Sequence, residues 1–137
     1  MGSRFRKPEE IRLELSGGDW LLVRKHLTAG EEREAYVRLI KDGGNPGDID
    51  IRKMGIAEVS AYLIDWNLTD ADDKPIRVRD ADFAFVFAAL SAMDPESLVE
   101  IVAAISDHDK AMKAAREAQK KILTGDPVPS PTSISVA

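Results

Sequence analysis

Cysteine is absent from the 137 residues. That excludes a disulfide framework, a thiolate nucleophile and a Cys-ligated zinc site, and it fits a reducing, cytoplasmic setting. Long apolar runs are missing too: none approaches the roughly 20 residues that a membrane helix needs. The N-terminal MGSRFRKPEE lacks the apolar stretch of a signal peptide. It begins Met-Gly, yet Arg6 stands where a myristoylation signal carries Ser or Thr. Basic excess is also lacking, with a net charge of −5 and a pI near 5.1. General affinity for nucleic acid or anionic membrane, which needs a basic face, is therefore not expected.

What is present is ordinary globular material, 44% apolar and 31% charged, in a chain of single-domain length. Such a chain buries roughly two thirds of its unfolded surface, enough for one core. A basic arm, residues 1–10, carries Arg4, Arg6 and Lys7. The domain spans 11–123. A Pro/Ser-rich stretch, 124–137, reads as an extended or disordered tail and lacks the PxxP spacing of an SH3 ligand.

Within the domain, Ile11, Leu13 and Leu15 alternate with Arg12 and Glu14, the period of a strand. A second apolar run begins at Trp20, and residues 11–27 read as a β-hairpin. A two-residue Gly17-Gly18 loop would set Leu15 opposite Trp20 and Leu13 opposite Leu22, all on one face. A hairpin alone is marginal, so that face must dock on helices.

Four helices are expected, over 29–42, 55–67, 81–93 and 95–123. Thr28 and Glu31 form a capping box for the first, and Gly43-Gly44 ends it. The second is the organising element. Ile56, Val59, Leu63 and Trp66 recur at helical steps, with Glu58 and Asp65 on the wet face. Asp80 or Asp82 caps the third, whose phenylalanines predict the most buried helix or an interface. Asp94-Pro95 starts the fourth, as cap and first helical residue. It either runs about 28 residues or breaks near 106–109, and Lys113–Glu117 and Glu117–Lys121 are stabilising pairs on its outer half. The expected core is Trp20, Leu39, Ile56, Val59, Leu63, Trp66, Leu90, Leu98, Ile101 and Ile105. The fold class is mainly α within α+β: an N-terminal hairpin on a bundle of about four helices, with a long C-terminal helix.

Catalytic equipment is not visible. Asp107-His108-Asp109 resembles a metal cluster, but neighbours on a helix point apart, and an exposed helix break is expected there. His26 closes the second strand, and no sequence pattern marks it as a catalytic base. Asp70, Asp72 and Asp73 suggest a calcium loop, yet the sixth and twelfth positions are Pro75 and Ala81, where an EF-hand needs Gly and Glu. Gly43, Gly44 and Gly47 precede no Lys-Ser/Thr, so no phosphate loop follows. No catalytic residue, cofactor or metal ligand is assigned.

Two stretches carry a resemblance. One is Trp20-Leu-Leu-Val-Arg-Lys-His-Leu-Thr-Ala-Gly-Glu-Glu, a strand leading into a capped helix. The other is Val59-Ser-Ala-Tyr-Leu-Ile-Asp-Trp-Asn-Leu-Thr-Asp, followed by a polar turn with Lys74-Pro75. With the Asp-Pro-Glu helix after them, they resemble the tail assembly chaperones of long-tailed phages and prophages, over about residues 11–108. The resemblance implies a non-enzymatic protein of the host cytoplasm that binds the tape measure protein, or other tail proteins, and keeps it soluble. It also implies self-association into a homo-oligomer. Phe83, Phe87, Met112 and Ile122 are candidate partner surface. One alternative is a virion structural protein of the tail or head–tail connector. Another is a catalytic domain whose site forms between subunits.

Overall fold

The alternation at Ile11, Leu13 and Leu15 produces strand β1 (Glu10–Glu14), and the run after it produces β2 (Trp20–Arg24). This computed structural model describes residues 4–5 and 7–124; the tail from 125 on, and Arg6 of the basic arm, lie outside the described residues. The hairpin register differs from expectation by one residue. Glu14 faces Trp20, Leu13 faces Leu21 and Ile11 faces Val23. The cause is the loop. The Leu15 amide donates to the Asp19 carbonyl at 2.8 Å, enclosing Ser16-Gly17-Gly18, with both glycines at positive φ (69° and 81°). Because strand side chains alternate, one residue of slip moves every side chain to the other face. Leu21 and Val23 therefore point inward and are fully buried, while Trp20 and Leu22 are half-buried on the outer face. Trp20 is thus not core. The Arg12 guanidinium covers its ring at 4.6 Å.

The capping box forms as expected: Thr28 Oγ accepts from the Glu31 amide, and the Glu31 carboxylate accepts from the Thr28 amide at 2.8 Å. It starts α1 (Ala29–Leu39), which stops three residues short of the expected 42. Ile40 leaves the helix in an extended conformation and bridges to Ile49. No residue of α1 is buried, and Leu39, expected in the core, is half-buried.

The organising helix is shorter than its spacing suggested. Helix α2 covers Ile56–Tyr62, and the chain passes directly into strand β3 (Leu63–Trp66). β3 pairs antiparallel with β2, giving the sheet order β1-β2-β3. Its register jumps between Leu22 and Val23, opposite Asp65 and Leu63, so Ile64 is an extra residue. That bulge puts Leu63 and Trp66, three apart, on the same inner face. A bulged strand thereby reproduces a spacing that otherwise marks a helix. The gain is a third strand for a hairpin that two strands would leave marginal.

The Trp66 indole N–H donates to the Ile76 carbonyl at 2.7 Å, fastening the segment that buries Val78. Before it, Asp70 accepts from the amides of Asp72 and Lys74, so the acidic run is a side-chain-closed turn. Asp82, not Asp80, caps α3 (Phe83–Ala92). Only Val86 and Leu90 of α3 are buried, against five of seven residues in α2, so the most buried helix is α2. The phenylalanine-rich sequence spreads its rings around the helix, and Phe85 faces outward. Asp94 caps α4 (Pro95–Thr124), accepting from the Ser97 amide at 2.9 Å, and α4 runs unbroken through 106–109.

α2 packs against α1, α3 and α4. Ile56, Val59, Leu63, Trp66, Leu90, Ile101 and Ile105 meet Leu21 and Val23 in one core, with Leu98 half-buried at its margin. Among the described residues no helix is long and apolar enough to cross a membrane.

The register has a direct check. Leu21→Ala is expected to cost about 2–5 kcal/mol of unfolding free energy, the range for a fully buried leucine. Trp20→Ala, despite the larger side chain, is expected to cost less than half of that in the same urea titration. The reverse order would show that the expected register was the right one.

Candidate functional site

The charged residues that sequence spacing left scattered converge on α2. Helices α1 and α4 both flank it, leaving a groove of 440 Å³ between them. Ala57, Glu58 and Tyr62 of α2 form the floor, with Gly55 at its start. α1 supplies Glu32, Ala35, Tyr36 and Leu39; α4 supplies Val102, Ser106, Asp109 and Lys113. Met54 lines it as well. Tyr36 and Met54 are 49% and 59% exposed, so large apolar side chains stand open on its lip.

Gly55 sets how close the floor comes to α4. It has φ of 80°, and a Cβ there would lie 3.1 Å from Val102 Cγ1. Only glycine takes both the conformation and the proximity without strain. The opposite end is held by polar contacts. Asp109, expected on an exposed break, is buried. It accepts from the Tyr62 hydroxyl at 2.6 Å and from Lys113 Nζ at 2.8 Å. Lys113 thus pairs with Asp109, one turn before it, rather than with Glu117. His108 is buried as well, edge-on to the Tyr62 ring at 5.4 Å. Its Nε2 lies 3.1 Å from the carbonyls of both Arg24 and Lys25. Both neighbours are acceptors, so Nε2 carries the proton and ties α4 to the end of β2.

Arg24 completes the scaffold. Its guanidinium donates to the Ala61 carbonyl at 2.9 Å, capping the end of α2. It also pairs with Glu31 of the capping box at 2.8 Å. At the far side of α1, Arg38 donates to Ser60 Oγ at 3.0 Å and lies over the Phe83 ring.

The electrostatics of the groove divide by residue. Burial pushes the Asp109 carboxyl up, but the Lys113 and Tyr62 hydrogen bonds outweigh it, and the value falls below the usual 3.8. Burial, then the Asp109 hydrogen bond and charge, push the Tyr62 hydroxyl well above its ordinary range, so it stays a donor. Glu58 is raised above the usual 4.5 by burial first and by Asp109 second. Glu58 was expected on the wet face; it is half-buried in the groove and has no hydrogen-bond or ion-pair partner among the described residues. Lys113 and Lys110 act on it only at longer range.

The residues expected as partner surface lie outside this groove. Phe83 and Phe87 pack edge-to-face at 5.8 Å against the core margin. Met112 is half-buried against the body, and Ile122 is 74% exposed near the end of α4. Tyr36, Met54, Glu58, Tyr62 and Asp109 carried no functional assignment. The available signal was the Asp109/Lys113 spacing of four, which favours an ion pair with the acid first. Among the described residues no group of three or more His, Asp or Glu is placed to hold a metal ion. Compared with protein-family models, curated proteins and solved structures, the chain matches none.

The two acids predict opposite pH dependences. Asp109 has a lowered folded value, so the stability it contributes is full above 3.8 and is lost as pH falls from there through its lower folded value. Glu58 has a raised one, so its contribution is full below 4.5 and is lost as pH rises through its folded value. In urea titrations, Glu58→Gln is expected to match the parent near pH 4 and to exceed it in stability at pH 7. Tyr62→Phe is expected to cost about 1–2 kcal/mol at pH 7 and to shift the acid-side loss toward higher pH. Parallel curves for parent and Glu58→Gln would contradict the desolvation of Glu58.

Proposed function

We propose that this protein is a non-enzymatic tail assembly chaperone of the long-tailed phage type, which binds the tape measure protein and keeps it soluble in the host cytoplasm until the tail tube encloses it. The observation that carries the reading is the groove over α2: a helix-walled trough with Tyr36 and Met54 exposed on its lip and an outer wall, α1, with no buried residue. A holder of aggregation-prone helical protein needs an apolar seat within a charged surface. The net charge of −5 keeps the rest of the surface soluble. In this reading the protein also self-associates reversibly.

A second reading is a virion structural protein of the tail or the head–tail connector. It is favoured by apolar side chains exposed away from the groove floor: Ile51 at 78%, Val99 at 68% and Phe85 at 48%. A permanent assembly would cover them.

Mass spectrometry of mature particles beside the lysate of the producing cells separates the two. A chaperone is expected in the lysate and missing from particles. Stoichiometric copies in the particle would overturn the chaperone reading and establish the structural one.

A further inference from the structure

The groove is chemically polarised. At one end Leu39, Met54 and Val102 present apolar surface beside Gly55. About one helical turn along α2 from Gly55, Glu58 presents a carboxylate with no hydrogen-bond or ion-pair partner among the described residues. The other acid at this depth, Asp109, is satisfied by Tyr62 and Lys113. Lys113 is therefore committed, Lys110 is exposed and acts on Glu58 only at longer range, and half-buried Arg116 acts on Tyr62 and Asp109. Glu32 adds a second open carboxylate on the α1 wall. A half-buried carboxylate is costly unless a cationic donor meets it. Its raised proton affinity is the signature of that cost.

The walls define the shape of the occupant. α1 and α4 both pack on α2 and leave the position between them open, which is the seat of one more helix in a helical layer. We propose that this groove binds an amphipathic helix of a partner protein that carries a Lys or Arg about one turn from its apolar anchor, with the anchor against Leu39, Met54 and Val102 and the cation against Glu58. This rests on the chaperone reading and names the chemistry of the segment held. An acidic or uncharged amphipathic helix is disfavoured by the same carboxylate, so the groove selects among apolar helices by charge. Tyr36, at the rim, shields the contact from water.

The test uses the full chain and two fluorescent synthetic helices of about 18 residues, long enough to span the groove. Both carry one leucine stripe; one is bordered by Lys a turn from the central leucine, the other by Glu. By fluorescence anisotropy the Lys helix is expected to bind with a micromolar Kd, at least about tenfold tighter than the Glu helix. Glu58→Gln, which keeps the side-chain shape, is expected to remove the difference, and Glu58→Lys to reverse it, with unchanged circular dichroism in both. Equal binding of the two helices to the parent chain, absence of saturable binding, or indifference to Glu58→Gln would each overturn the proposal. So would concentration-dependent dimerisation of the parent that Glu58→Lys abolishes, because the occupant would then be a second copy. Tape measure protein held soluble equally by the parent and by Glu58→Lys would overturn the groove assignment and leave the chaperone reading standing. Charge-selective binding of the helices, together with presence in mature particles, would do the opposite.

Discussion

Eleven consecutive residues, Ile56–Trp66, hold this fold together because they change secondary structure without a linker. The helical half packs against the other three helices, and the extended half completes the sheet. Seven of the eleven side chains make up the centre of the core or its lining: Ile56, Ala57, Val59, Ala61, Tyr62, Leu63 and Trp66 are all buried. The junction is possible because the strand bulges at Ile64, which lets the inward side of the helix continue as the inward side of the strand. Without the bulge, Leu63 and Trp66 would face opposite ways, and one of them would be lost from the core.

Everything around the groove follows from how that segment is tied down. Arg24 satisfies the last turn of α2 and holds Glu31, which also caps α1. His108 joins α4 to the same corner through the Arg24 and Lys25 carbonyls. Tyr62 and Asp109 link α2 to α4 a few residues away. These are buried or half-buried polar contacts in which donors and acceptors are matched, so they fix geometry more than they add stability. α1 is different. It is attached by Arg24, Arg38 and partly covered apolar residues, with no buried stripe of its own. One wall of the groove is therefore pinned by polar contacts, while the other is shallowly seated and apolar at its rim.

Much of the architecture was legible in the sequence. The hairpin and the helix starts at Thr28 and Asp94 follow from local rules (alternation, side-chain caps and a proline at the first helical position), and the third start was narrowed to Asp80 or Asp82. Those signals act within a few residues and do not depend on the rest of the fold. Where sequence reading went astray, the competing influence was distant. The spacing of Ile56, Val59, Leu63 and Trp66 identified four buried residues, yet it could not separate a helix from a helix followed by a bulged strand, since both place them on one face. Trp20 looked like core on size and position, and a one-residue difference in loop length put it outside under Arg12.

The sequence by itself determined which elements form and roughly where they begin, because caps, turns and hydrophobic alternation are local. Only the tertiary structure decided that His108 and Asp109 form a buried crossing point and not a break, because they find their partners on β2 and α2, 84 and 47 residues away. It likewise decided that Glu58 faces a groove, since that depends on α1 and α4 standing apart on either side of α2. Burial of a charge depends on what the rest of the chain places next to it, and no pattern within α2 records that.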